Sequence, residues 1–256
     1  MLKLKVGSLF AGIGGMELGL ERTGHYETVW QVEINDHARS VLERHWPEVK
    51  RHDDVCTFPT QGYDWSCDVL AGGFPCQDLS IAGKGKGLSG SRSGLFYEVI
   101  RIVRCLEPRY VILENVSALL ARGMGVVLGE LAKIGYNAEW HCITSAYLGA
   151  PHERDRLFIL AYRNDPRHGT QEHEADQGQE EESSQQRREV VLPELGGLRA
   201  AKGAGREHWK SEPSVGRVVD GLPRRMDRLR LLGNAIVPQV AEAVGNRLYE
   251  IHSRGE

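Results

Sequence analysis

No two of the five cysteines are spaced as Cys-x-x-Cys: Cys56, Cys67, Cys76, Cys105 and Cys142 are scattered along 256 residues. That spacing argues against a zinc site or a disulfide framework, so no metal is expected, and buried free thiols are the plain reading for most of them. Long apolar runs are lacking too. The start, Met1-Leu2-Lys3-Leu4-Lys5-Val6, alternates like a strand and has no apolar centre of the kind a signal peptide carries. A cytoplasmic protein is the expectation. Nor is there an excess of one charge: the formal net charge is −3, which does not mark a nucleic-acid binder. The average conceals segregation, however. Residues 171–182 are acidic and glutamine-rich, whereas residues 217–230 hold Arg217, Arg224, Arg225, Arg228 and Arg230 against few acids. Local patches decide phosphate binding, so the total excludes nothing.

What is present is ordinary for a globular chain, with 41% hydrophobic and 26% charged residues. The length suits one domain, or one domain with a small appendage. Up to about residue 162, short apolar runs alternate with amphipathic stretches. Strands are predicted over 4–9, 28–34, 67–71, 110–113 and 157–161, with helices over 14–23 and 37–46. Phe96, Val99, Ile102, Val103 and Leu106 fall at helical spacing, and residues 115–134 form a further helical region. Strands alternating with helices predict an α/β fold, a mostly parallel sheet with helices on both faces. After Arg163 apolar side chains nearly vanish through residue 189, a composition that predicts a disordered insertion. Residues 190–217 are rich in Gly and Arg around Trp209. Near the C-terminus Val237, Val240, Val244, Leu248 and Ile251 make one helical stripe suited to pack back on the sheet.

Four constellations carry chemistry. The first, Ser8-Leu9-Phe10-Ala11-Gly12-Ile13-Gly14-Gly15, joins the first strand to the first helix. Glycines there let backbone approach a ligand, and Glu33, at the end of the second strand, stands where an acid holds ribose hydroxyls. The same turn also serves purely structural ends. The second, Gly72-Gly73-Phe74-Pro75-Cys76-Gln77-Asp78-Leu79-Ser80, follows a strand directly. A cysteine at the mouth of such a sheet, beside exposed amides, becomes a thiolate readily; a loop cysteine without a role is the plain alternative. Third, Glu114-Asn115-Val116 puts a carboxylate at the end of a central strand, either in the ligand crevice or at a helix start. Fourth, in His152-Glu153-Arg154-Asp155-Arg156 the two arginines share one face of a strand, which suits phosphate or carboxylate recognition or plain surface ion pairs.

Taken in this order, these pieces resemble the cytosine-5 DNA methyltransferase family. Phe10-Ala11-Gly12-Ile13-Gly14-Gly15, Gly73-Phe74-Pro75-Cys76-Gln77, Glu114-Asn115-Val116 and Arg154-Asp155-Arg156 match its motifs, and Leu232-Gly233-Asn234-Ala235-Ile236-Val237-Pro238-Gln239 completes the set. The resemblance covers about 1–162 and 221–252. It implies a Rossmann-like S-adenosylmethionine-dependent methyltransferase fold, with a catalytic, cofactor-binding domain made of 1–162 and 221–256 and a short target-recognition region at 163–220. It implies methyl transfer from S-adenosylmethionine to carbon 5 of a cytosine flipped out of double-stranded DNA, through a covalent Cys76 adduct. Glu114 would then hydrogen-bond the base edge, Arg154 contact the cytosine carbonyl, and Arg156 hold Glu114 or the cysteine loop.

On the cofactor side the resemblance places Phe10 against the adenine and Ala11, Gly12, Ile13, Gly14 and Gly15 around the methionine part. Glu33 falls on the ribose, Asp54-Val55 on the adenine edge, and Pro75, Leu95, Asn234 and Ala235 on the pocket wall. Ile34 departs from the family, where many members place a tryptophan. Gln77 and Ser80, with Trp209, Arg224, Arg225 and Arg228, are the expected DNA contacts. The usual Arg-x-Leu-Thr-x-x-Glu element is absent; Gly216-Arg217-Val218-Val219-Asp220-Gly221-Leu222-Pro223 stands in its place, as in compact phage or prophage members. A monomer is expected, with a restriction endonuclease as its companion in the host. Two other readings stay open, methylation of cytosine in RNA and a DNA-binding protein without turnover. The transfer-RNA branch replaces Phe74 with proline, against the first of these.

Overall fold

A computed structural model describes residues 2–60, 64–75, 94–150, 152–163 and 231–254. The period-2 and helical patterns condense into seven strands and six helices among these residues. In chain order they are β1 (Leu4–Leu9), α1 (Gly15–Arg22), β2 (Tyr26–Val32), α2 (Asp36–His45), β3 (Lys50–His52), a 3-10 turn at Val55–Thr57, β4 (Val69–Gly73) and α3 (Gly94–Leu106). Then come β5 (Tyr110–Val116), α4 (Leu119–Arg122), α5 (Met124–Lys133), β6 (Tyr136–Thr144), a 3-10 turn at Ser145–Leu148, β7 (Asp155–Arg163) and α6 (Pro238–Arg254). One sheet takes the order β3-β2-β1-β4-β5-β7-β6. The β1–β2, β2–β3, β1–β4 and β4–β5 ladders are parallel, while β7 runs antiparallel to both β5 and β6. Strand order reverses between β1 and β4, and a crevice opens at the carboxyl ends of the strands at such a reversal.

Alternation along each central strand feeds two cores. Leu70, Val111, Leu113, Leu157 and Ile159 face a cluster with Phe96, Val99, Val103, Val127 and Leu131 of α3 and α5. Their neighbours Val69, Ala71, Ile112, Phe158 and Leu160 face the opposite cluster, with Met16 and Leu20 of α1 and Val240, Val244 and Leu248 of α6. Helices thus cover both faces, as near-continuous apolar strands require. The predicted stripe near the C-terminus is indeed a helix, and it lies against α1. Contact is close because α1 offers glycines: a Cβ on Gly15 would fall 2.2 Å from the Ile236 carbonyl oxygen, and one on Gly19 2.3 Å from that of Pro238. Among the described residues no helix is long and apolar enough to cross a membrane.

Several boundaries differ from expectation. β2 starts earlier and ends at Val32, leaving Glu33 and Ile34 in the turn beyond it. β5 continues through Glu114 and Asn115 to Val116, where a helix was expected to begin, because these residues pair with Phe158, Leu157 and Arg156 of β7. The helical stretch after it breaks into α4 and α5 at Gly123. β3 and β6 were not predicted at all. β3 is the three polar residues Lys50-Arg51-His52 at the sheet edge, and β6, at the other edge, buries only part of its surface. The insertion expected at 163–189 and the Gly- and Arg-rich stretch to 217 lie outside the described residues beyond Arg163, as does the boundary at 220–221.

Candidate active site

The turn after β1 is built from backbone conformations that side chains avoid. Phe10 has φ +54°, Gly12 +58° and Gly14 +88°. A left-handed phenylalanine is strained, and such strain concentrates where a ligand must be met. Gly14 is the N-cap of α1, so the turn delivers the helix N-terminus to the strand ends. Glu33 locks it from the side. Its Oε2 accepts from the Gly12 amide at 2.8 Å and its Oε1 from the Asn35 amide at 2.8 Å, joining the turn after β1 to the turn after β2. Asn35 in turn caps α2, accepting from the His37 and Ala38 amides.

A second wall comes from the ends of β4 and β5. Gly73 pairs with Glu114 across the parallel ladder. A Cβ on Gly73 would sit 2.7 Å from Glu114 Oε2, so only glycine leaves that carboxylate its place. Buried Asn115 donates from Nδ2 to the Phe74 carbonyl at 3.0 Å, which pins the start of the loop that leads to Cys76. The third wall is cationic. Arg156 Nε meets Glu114 Oε1 at 2.8 Å, with 22% and 12% of the two side chains exposed. Arg154, just before β7, donates from Nη1 to the Gly233 carbonyl at 2.6 Å, and its buried Nε makes no hydrogen bond. Burial raises the Glu114 carboxyl above its ordinary range, against the opposing pull of Arg156 and Arg154. Burial, then repulsion by Arg156, lowers the Arg154 guanidinium.

These walls enclose one cavity of about 540 Å³, within the usual range for a small-molecule site. It brings together Phe10, Ala11, Gly12, Ile13, Gly15, Glu33, Ile34, Pro75, Glu114, Arg154, Arg156, Asn234 and Ala235 of the residues singled out from the sequence. Four others stand back from it. Gly14 caps α1 behind the turn, where a Cβ would strike the Trp46 ring. Asp54 accepts from the Cys56 amide as N-cap of the 3-10 turn, Val55 is buried in the core, and Leu95 packs against that same core. Met16, Asn35, Phe74, Asn115, Leu231 and Ile236 also line the cavity without having been assigned a place in it. An Asn directly before Asp36 at a helix start was a readable N-cap signal for Asn35; nothing local marks Met16 or Ile236. Cys76, Gln77, Ser80, Trp209, Arg224, Arg225 and Arg228 lie outside the described residues. Of the cysteines described, burial raises the thiols of Cys56 and Cys142 and pushes Cys67 up to about 12, the direction opposite to that of an activated thiol.

The residues present fit a nucleoside-containing cofactor. Gly12 has open space where a Cβ would be, Glu33 stands at the ribose position of such folds, and Ile34 lies 70% exposed on the cavity wall where a flat base would cover it. The cavity therefore joins a half built from the ends of β1 and β2 to an acid-and-arginine half from β4, β5 and β7.

Known proteins share this pattern. The family model for C-5 cytosine-specific DNA methylases matches residues 4–209. The type II methyltransferase M2.BsuMI of Bacillus subtilis is 37% identical over 166 residues, covering 62% of this chain and 42% of that protein. M.Eco47II of Escherichia coli is 39% identical over 61% of this chain and 39% of its own length, and M.HhaI of Haemophilus parahaemolyticus 35% over 61% and 48%. The chain thus spans half or less of the length of these relatives. In fold it is similar to the S. pombe Dnmt2 methyltransferase, with TM-score 0.55 and 24% identity over 64% of this chain and 52% of that one. The Entamoeba histolytica methyltransferase EhMeth gives TM-score 0.56 and 20% identity over 66% and 56%.

Proposed function

The chain belongs to the C-5 cytosine-specific DNA methylase family, and from that premise we propose that its cavity transfers a methyl group from S-adenosylmethionine to carbon 5 of a cytosine in DNA. One observation carries this reading most directly. Glu114 is a largely buried carboxyl, raised by that burial, ion-paired to Arg156 and seated against Gly73, three residues before Cys76. A carboxyl so held, with burial favouring its protonated form, is placed to hydrogen-bond a ring nitrogen.

In this reading a cytosine leaves the duplex stack, at an unstacking cost of a few kcal/mol, and enters beside Glu114. The Cys76 thiolate adds to carbon 6, forming a carbon–sulfur bond, and the ring electrons shift toward N3 and carbon 5. Glu114 stabilises the charge that develops at N3, with Arg156 holding its carboxyl in place. Arg154, whose Nε is unused, faces the base carbonyl. S-adenosylmethionine, when bound, supplies an electrophilic methyl group to carbon 5. Phe10, Ala11, Gly12, Ile13, Gly15, Glu33 and Ile34 serve its nucleoside and methionine parts, with Pro75, Asn234 and Ala235 on the cavity wall and Gly14, Asp54, Val55 and Leu95 supporting it from behind. Loss of the carbon 5 proton and departure of Cys76 restore the aromatic ring. Residues 163–220 would read the DNA sequence, with Gln77, Ser80, Trp209, Arg224, Arg225 and Arg228 as contacts. The type II naming of the relatives makes a cognate restriction endonuclease the companion to look for.

The test is direct. The protein is incubated with methyl-labelled S-adenosylmethionine and either mixed-sequence duplex DNA or RNA. Label in 5-methylcytosine of the DNA is the expected result. Label in RNA alone, or DNA binding without any transfer, would overturn the proposal.

A further inference from the structure

Beyond the residues that line the cavity, one side chain controls the geometry of the half built from the ends of β1 and β2. β2 ends at Val32; just past it the Glu33 amide still donates to the His52 carbonyl at 3.1 Å, and Glu33 and Ile34 carry two side chains that line the cavity. Backbone that leaves a sheet must satisfy its carbonyls elsewhere or remain loose. Arg39, on α2, meets that need. Its Nη1 donates to the Glu33 carbonyl at 2.9 Å and to the Ile34 carbonyl at 2.9 Å. Its Nη2 pairs with Asp36, the first residue of the same helix, whose side chain is 84% exposed. The guanidinium thus supplies the hydrogen bonds that a continuing strand would have supplied. It does so for the two successive residues whose side chains aim at the ligand.

We propose that Arg39 is a positioning residue for the nucleoside end of the cofactor, acting through the backbone of Glu33 and Ile34 rather than by touching the ligand. The inference rests on the proposed function, since it takes the nucleoside to be that of S-adenosylmethionine. The physical effect is preorganisation. With the turn fixed, the Glu33 carboxylate already spans the Gly12 and Asn35 amides, and the Ile34 side chain already stands out over the cavity. Binding therefore has less ordering to impose on the turn. Asp36 is secondary: its pair with Arg39 is at the surface, where such pairs contribute little. A lysine keeps the charge but is a flexible, strongly hydrated point charge, so it loses more freedom per hydrogen bond and has no second nitrogen for Asp36.

The test uses binding and turnover together on the full chain. Arg39→Ala is expected to weaken S-adenosylhomocysteine, measured by titration calorimetry, by about tenfold, the cost of ordering the freed turn on binding. 5′-Methylthioadenosine, which lacks the amino-acid end, should weaken by the same factor, because the defect lies at the nucleoside. The KM for S-adenosylmethionine should rise in parallel while kcat at saturation stays within about twofold. Arg39→Lys should fall between, and Asp36→Asn should bind like the parent. Unchanged affinity in Arg39→Ala overturns the proposal. So does a fall in kcat with KM unaltered, or an Asp36→Asn defect equal to that of Arg39→Ala. A parent protein that binds neither ligand sinks the cofactor reading itself, and the Arg39 role with it.

Discussion

Burial raises the carboxyl of two glutamates, Glu17, which is fully buried, and Glu114, which is largely so. Glu114 occupies the mouth of the sheet, with Arg156 at 2.8 Å and the cavity in front of it. Glu17 lies inside the interface between α1 and the sheet, fully buried, beside Ser8 and Gln31. None of the side-chain oxygens there makes a hydrogen bond of ordinary geometry, and the carboxyl is pushed up to about 7 by burial, with Glu21 adding to it. The contrast separates two things that a shifted acid is often taken to show at once. Burial alone raises a carboxyl. Arginines, an open cavity and a neighbouring loop give a raised carboxyl something to do. The proposed chemistry therefore falls to Glu114, and a pH dependence of stability is the expectation for Glu17.

The comparison breaks most visibly at Glu114. Glu114→Ala is expected to lower methyl transfer by roughly 10²–10⁴-fold, the usual range for a lost acid or base. A variant that retains transfer within a few fold would remove Glu114 from the chemistry. Arg156→Ala comes next. Without its nearest guanidinium the carboxyl rises further. The alkaline limb of the pH–rate profile should therefore move up while turnover falls by roughly tenfold or more. An unmoved limb would show that Arg156 does not govern the acid.

Glu17→Gln should leave transfer near the parent level and change only the pH dependence of stability. A carboxyl that titrates near 7 when folded and near 4.5 when unfolded takes up a proton on folding between those values. Its contribution is complete below about 4.5 and is lost as pH rises through about 7, a swing on the order of 3 kcal/mol at most. Thermal melts across pH 4 to 8 should show that fall in the parent and a flatter curve in the variant; parallel curves would deny Glu17 the role.

Much of the cavity was legible because its pieces are local. A glycine turn after an apolar strand, an acid expected at the end of the next strand and Glu-Asn-Val expected after a third all report through adjacent residues, and Glu33 and Glu114 line the cavity, although Glu33 lies past β2 and Glu114 within β5. What escaped was set by contacts far apart in sequence. Nothing near Gly73 says that Glu114 fills the space of its missing side chain, and nothing near Gly15 announces the Ile236 carbonyl. Asn115 looked like a helix start because its own side chain is polar; its tie to the Phe74 carbonyl and the pairing with β7 make it strand. β3 was invisible because three polar residues have no apolar period, and only β2 makes them a strand. Arg39 was passed over because on a helix its plain reading is a solvated charge.

The central claim is that Cys76, the residue after Pro75 on the cavity wall, forms a bond to the base while Glu114 holds the ring. Duplex DNA of mixed sequence with every cytosine replaced by 5-fluorocytosine tests it, because fluorine at carbon 5 blocks the last step. Incubation with S-adenosylmethionine, digestion and mass spectrometry of the peptides should find the methylated fluorocytosine joined to Cys76. Methyl transfer to unmodified DNA with no adduct on the fluorinated duplex, or an adduct at Cys56, Cys67, Cys105 or Cys142, would contradict it.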